Sequence, residues 1–174
     1  SGDYEAAMDR ALELLDYEAV RERQAEARED GRYLGVGVST YIEICGGYAA
    51  DNQGASVRMR PSGEVVAATS TVENGQGHST SYAQIVADVL GVDYDAVEIV
   101  EGDTDVVPEG GGTGGSRSMP MGGNALRQSA EAVRERARRL AAHTLEADPD
   151  DIEFADGEFR VRGAPDRGLS ITDV

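Results

Sequence analysis

The chain has no lysine. All 16 of its basic residues are arginine, and they face 33 acidic residues, for a net charge of −17. Such a charge repels nucleic acid and anionic membranes, which excludes both as partners. It also works against compaction unless salt screens it. Acid excess without lysine points to a salt-rich, halophilic cytoplasm. A high-GC genome accounts for the missing lysine but not for the acids.

Cysteine is nearly absent as well. Cys45 stands alone, which rules out an intrachain disulfide and a thiolate metal cluster. It is expected as a small buried residue on a strand. No apolar run approaches the roughly 18 residues that suggest a membrane span. The opening "SGDYEAAMDR" lacks the basic segment and apolar core of a signal peptide, so a cytoplasmic location is expected. Phosphate-binding fingerprints are missing too, with no GxxxxGK[ST] and no GxGxxG after a strand. His143 lies on a helix with no second histidine nearby. No Ser-His-Asp arrangement is legible, and no metal site is expected.

What is present suffices for one folded domain: 174 residues, 40% of them hydrophobic. Apolar spacing predicts two short helices over residues 4–30, with Asp16 capping the second and Gly31 ending it. "RYLGVGVSTYIEICGG" reads as a strand carrying Glu43, and "GGYAADNQG" as a loop. "ASVRMRPSGEVVAATST" reads as a hairpin turning at Pro61-Ser62-Gly63. A helix is predicted over 79–90, stopped by Gly91, then a short strand at "AVEIVEGD". "GDTD" reads as a turn. A long helix follows to about residue 146, with Leu126, Ala130, Val133, Ala137, Leu140 and Ala141 inward. A hairpin turning at Asp156-Gly157 comes last. The predicted class is mixed α/β in a single domain. The order is ααβββαβαββ, with one sheet packed by two main helices. Residues 1–30 form a helical lead-in, 31–163 the body and 164–174 a tail.

Two stretches invite a ligand. In "VENGQGHSTSYAQI", Gly75 and Gly77 permit close backbone approach and positive φ. Gln76 offers one acceptor and two donors, and the helix start that follows offers unpaired N–H groups. His78, Ser79 and Thr80 can cap that helix or touch an anion. A plain strand-to-helix turn capped by Ser79 accounts for the same residues. The second stretch, "GGGTGGSRSMPMGG", holds seven glycines in fourteen residues. It leads through Ser116, Arg117 and Ser118 into another helix. Arg117 suits phosphate, although a surface arginine on a mobile loop is the simpler account. Together the two loops suit one extended polar ligand better than either does alone.

"GVGVSTYIEICGG", "VENGQGHSTSYAQIVADVLGV" and "EIVEGDTDVVPEGGGTGGSRSMPMGG" resemble, in this order, the molybdenum-cofactor-binding subunit of the xanthine dehydrogenase, aldehyde oxidase and carbon monoxide dehydrogenase family. The similarity runs over residues 17–161 and is nearest to the carbon monoxide dehydrogenase-like members. The family often has Gln at Asn74, an aromatic at Gly114, and Thr at Met119 and Met121. The resemblance implies an internal piece of a longer subunit that holds molybdopterin or its cytosine dinucleotide. It places Gly75, Gln76, Gly77, His78 and Thr80 along the pterin or its phosphates, and Ser116, Arg117 and Ser118 near the pterin or dinucleotide. Gly122 and Gly123 would pass close to the molybdenum.

The resemblance further implies partners: the rest of the molybdenum subunit, an iron–sulfur subunit and an FAD subunit. A homodimer is left open. The family's catalytic glutamate belongs to a later segment, so the chain itself is expected to carry no catalytic residue, to lack the cofactor and to be inactive. The parent reaction would oxidise a small molecule such as carbon monoxide, an aldehyde or a purine. The competing reading is a non-catalytic small-ligand or interaction module that keeps the fold.

Overall fold

The computed structural model describes residues 2–46 and 52–174. The chain forms two compact units, residues 1–42 and residues 43–174. The first holds helices α1 (Tyr4–Leu15) and α2 (Tyr17–Glu29). Asp16 sits between them in the left-handed conformation (φ 52°), and its carboxylate accepts the Ala19 N–H. One residue therefore closes α1 and caps α2. Gly31 follows α2 at φ 70°, as its position suggests.

The expected strand over residues 32–46 does not form. The backbone there has no regular secondary structure and belongs to no ladder among the described residues. Tyr33, Val38, Tyr41 and Ile42 are exposed. The pattern was right for a strand, but a strand needs a hydrogen-bonding neighbour, and no described segment supplies one. Glu43 is likewise exposed. Cys45 is exposed instead of packed on a strand. Of the loop expected after it, residues 47–51 lie outside the described residues.

The second unit holds two three-stranded sheets rather than one. β1 (Ala55–Met59) and β2 (Val65–Thr69) form the expected hairpin. Its turn is closed by Gly63 N–H on the Arg60 carbonyl at 2.9 Å. After β2 the chain runs through α3 (His78–Leu90) and returns as β3 (Val97–Glu101). β3 lies parallel to β2, with Val65 opposite Val97 and Thr69 opposite Glu101. α4 (Asn124–Thr144), entered through one π-helical turn at Ser118–Gly123, packs on β1 and α3.

The core gathers Val65 and Ala67 from β2, Tyr82, Val86 and Leu90 from α3, and Leu126, Ala130 and Ala141 from α4. Leu140 departs from expectation and is 49% exposed, while its neighbour Ala142 is buried. The inward stripe of α4 thus ends on Ala141 and Ala142.

The second sheet is β4 (Ile152–Ala155), β5 (Glu158–Val161) and β6 (Ala164–Ser170). The first two turn at Asp156-Gly157, both at positive φ. β6 corrects the expected tail. Its sequence, "APDRGLS", has little strand character, and it forms because β5 offers a ladder to complete. The observed order is therefore ααββαβαβββ. It keeps the mixed α/β class, with one strand fewer before β1 and one more at the end.

Candidate functional site

The two suspected loops leave the same edge of the first sheet. β2 and β3 are parallel neighbours, so residues 70–77 after β2 and 102–117 after β3 both start at carboxyl ends of strands. Open α/β sheets commonly bind ligands at such ends.

The first loop is built around Glu73, which sequence reasoning did not single out. Its Oε1 accepts the N–H groups of Gly75 at 2.8 Å and Gly77 at 3.0 Å. Its Oε2 accepts those of His78 and, at 3.4 Å, Ser79. The carboxylate therefore fills the N-terminus of α3 from within the chain. Partial desolvation pushes its pKa up, but the four N–H groups of Gly77, His78, Gly75 and Ser79 outweigh this and hold it below the ordinary value of 4.5. The expectation that this helix start faces a ligand's negative charge is thus corrected. Gly75 (φ 100°) and Gly77 (φ 76°) make the tight path possible and have open space where a Cβ would lie. Gln76 is exposed, and its Oε1 accepts the Asn74 N–H at 2.6 Å. Thr80 is exposed on the first turn of α3.

The second loop is fastened rather than loose. Gly110 pairs with Gln53, Gly111 N–H donates to the Asn52 carbonyl at 3.1 Å, and Gln53 Nε2 donates to the Gly112 carbonyl at 3.1 Å. Thr113 bridges the loops: its hydroxyl donates to the Val72 carbonyl at 2.7 Å and accepts the Val72 N–H at 3.0 Å. Arg117 folds back onto its own loop, its Nε donating to the Gly112 carbonyl at 3.2 Å and its Nη2 to that of Gly111. These bonds brace the loop.

Between the loops lies a cavity of about 480 Å³ lined by Cys45, Gln76, His78, Ser116, Ser118 and Met119, among others. The structure thus brings together Gln76 and His78 from one loop with Ser116 and Ser118 from the other. Gly122 and Gly123 do not line it. They are buried, and a Cβ on Gly122 would stand 2.8 Å from Thr71 Cγ2 and 3.0 Å from the Tyr82 hydroxyl. Close packing of the π-helical turn explains these glycines without a ligand.

Behind the cavity wall, the fully buried Tyr82 lies under His78, their rings stacked at 5.5 Å. The Thr71 hydroxyl, donating at 3.2 Å to Tyr82 or at 3.0 Å to Glu101 Oε1, links the two. Ser79 holds Glu101 Oε2 at 3.2 Å. Burial raises the pKa of Tyr82, so its hydroxyl stays protonated.

The mixed first sheet thus sends two glycine-rich loops to one cavity. The chain belongs to the molybdopterin cofactor-binding domain family, whose profile matches residues 10–174. It is 37% identical over 189 residues to the carbon monoxide dehydrogenase large chain of Afipia carboxidovorans, covering 100% of this chain and 23% of that one. It is 38% identical over 174 residues to the 6-hydroxypseudooxynicotine dehydrogenase complex subunit gamma of Paenarthrobacter nicotinovorans, covering 100% and 22%. Among solved structures it resembles reconstituted carbon monoxide dehydrogenase from Oligotropha carboxidovorans (TM-score 0.71, 36% identity, 99% of this chain and 23% of that one). It also resembles quinoline 2-oxidoreductase from Pseudomonas putida 86 (TM-score 0.66, 39% identity, 98% and 23%). The chain therefore spans less than a quarter of the length of these relatives. Among the described residues, no helix is long and apolar enough to cross a membrane.

Proposed function

We propose that this chain is the cofactor-holding portion of a molybdenum-dependent oxidoreductase that hydroxylates or oxidises a small molecule. The observation that carries this reading is the convergence of Gln76 and His78 with Ser116 and Ser118 on one cavity. The residues suit the heterocyclic part of the cofactor. The open faces of Gly75 and Gly77 let backbone come close, and the Gln76 amide and the serine hydroxyls match a polar ring edge. When bound, the group supplies a metal that accepts two electrons and delivers water-derived oxygen. The chain's own residues orient the ring and close one wall around it. Electrons would leave through iron–sulfur and FAD-containing partners in a cytoplasmic complex. The remaining length of the molybdenum subunit would complete the site and fix the substrate.

One observation favours a second reading, a module for a neutral polar ligand. The carboxylate of Glu73 takes the four N–H groups that a phosphate would need. The test is titration of the chain with isolated molybdopterin cofactor, followed by pterin fluorescence and by molybdenum retained on gel filtration. Saturable binding at least tenfold weaker in Gln76→Ala and in Ser116→Tyr is expected. Equal retention by wild type and both variants overturns the reading. Competition by a dephosphorylated pterin as strong as by the full cofactor selects the neutral-ligand module. In dye-reduction assays with aldehyde, purine or carbon monoxide, the 174-residue chain alone is expected to give no turnover.

A further inference from the structure

At the root of the first loop, Glu73, His78 and Glu101 each bring one ligand-type atom to within 4.8 Å of the others. Carboxylates clustered in so acidic a chain mean little by themselves. The imidazole is what sets this cluster apart. His78 is 6% exposed, and its Nδ1 is the one buried side-chain polar atom among the described residues with no hydrogen-bond partner. A buried nitrogen left unpaired is costly and calls for a partner.

That nitrogen stands 3.7 Å from Glu101 Oε1. The separation is too long for a hydrogen bond. It is close to the roughly 3.4 Å between two ligands of one tetrahedral ion bound at about 2.1 Å. The Glu101 side chain is 8% exposed, and the charged form of a carboxylate in so desolvated a place calls for a compensating cation. A cation answers both deficits.

We propose that Glu73, His78 and Glu101 form a binding site for one divalent cation of the zinc type. Imidazole nitrogen with carboxylate oxygen is a donor set that zinc accepts. The supporting contacts are already in place. The Thr71 and Ser79 hydroxyls fix Glu101, leaving about two of its four lone-pair directions open. Stacking on Tyr82 fixes the His78 ring. Of the four N–H bonds to Glu73, the one from Ser79 is longest at 3.4 Å, so its Oε2 lone pair is the most readily released. The set is slightly wide for an ion and contracts on binding. Because the ion ties residue 73 to residues 78 and 101, it locks the loop to β3. The site needs no pterin, so it stands or falls separately from the cofactor reading.

The experiment uses the chain after chelation, in molar sodium chloride to suppress loose binding to the acidic surface. Zinc alone is the probe, titrated by calorimetry. One equivalent is expected, with affinity falling at least tenfold in Glu101→Gln and in His78→Gln. The chain has two histidines, so long-range ¹H–¹⁵N spectra separate His78 from His143 without a variant. Zinc should move the His78 Nδ1 resonance to a metal-bound position and leave His143 unmoved. Binding that is unchanged in Glu101→Gln overturns the site. So does a His78 ring protonated on both nitrogens and indifferent to zinc, because a proton then fills the gap instead of a metal.

Discussion

The hydroxyl of Tyr82 donates to the main-chain carbonyl of Ser118 at 2.9 Å. That bond ties the helix opened by the first loop to the turn that closes the second. Thr71, two residues beyond β2, also reaches the phenolic oxygen. Tyr82→Phe leaves the buried Ser118 carbonyl without this donor and should cost about 1–3 kcal/mol in denaturant unfolding. Burial raises the folded pKa of Tyr82 above its ordinary value of 10.0. Its contribution is therefore fully present below pH 10.0 and lost as pH rises through the folded value. The wild type should lose stability in that alkaline range, and Tyr82→Phe should lack this component. Parallel alkaline profiles for the two proteins would refute it.

Glu73 gives the opposite pH sign. Its folded pKa lies below 4.5 because the loop N–H groups favour the charged form. Its stabilisation is present above 4.5 and disappears as pH falls through the lower folded value. Glu73→Gln should melt earlier than wild type at pH 7, and the gap should close in acid. A gap that persists unchanged into acid would mean the charge of Glu73 is irrelevant.

Gly122 packs tightly against Thr71 and Tyr82. A methyl there meets Thr71 Cγ2 at 2.8 Å, so Gly122→Ala should destabilise by about 1–3 kcal/mol. Thr71→Ser removes the opposing methyl while keeping the hydroxyl. The double variant should recover part of the loss in urea unfolding. Simple additivity of the two single changes would place the strain elsewhere.

The charge of −17 predicts salt-dependent stability. Raising sodium chloride from roughly 0.1 M to roughly 1 M shortens the screening length about threefold. The melting temperature should rise with it. A flat response would remove the halophilic reading.

The loops' convergence was legible in part. Gly-Gln-Gly-His and Gly-Ser-Arg-Ser announced two helix entries, and the β2–α3–β3 pattern implies parallel strands whose exits share an edge. Glu73 was missed because a lone acid before a glycine looks like any surface acid. A carboxylate two residues before a Gly-x-Gly at a helix start is a signal that could have found it. The fold-back of Arg117 onto its own loop was not legible for the converse reason: sequence gives a side chain's chemistry but not its direction. Residues 33–44 carried true strand propensity, yet propensity without a neighbour yields only irregular chain. β6 formed from poor strand residues because a neighbour was there.

The irregular stretch over residues 33–44 also governs how the molecule behaves in a crowd. It displays Tyr33, Val38, Tyr41, Ile42 and Ile44 to solvent, along a backbone that joins no ladder among the described residues and can template a foreign strand. Mutual repulsion between highly anionic copies is what keeps such stripes apart in dilute buffer. The ions that firm up each copy also lower that barrier between copies. Added salt therefore pushes the chain toward a tighter fold and toward colloidal association at once, so light scattering should climb over the same concentration range in which the melting temperature does.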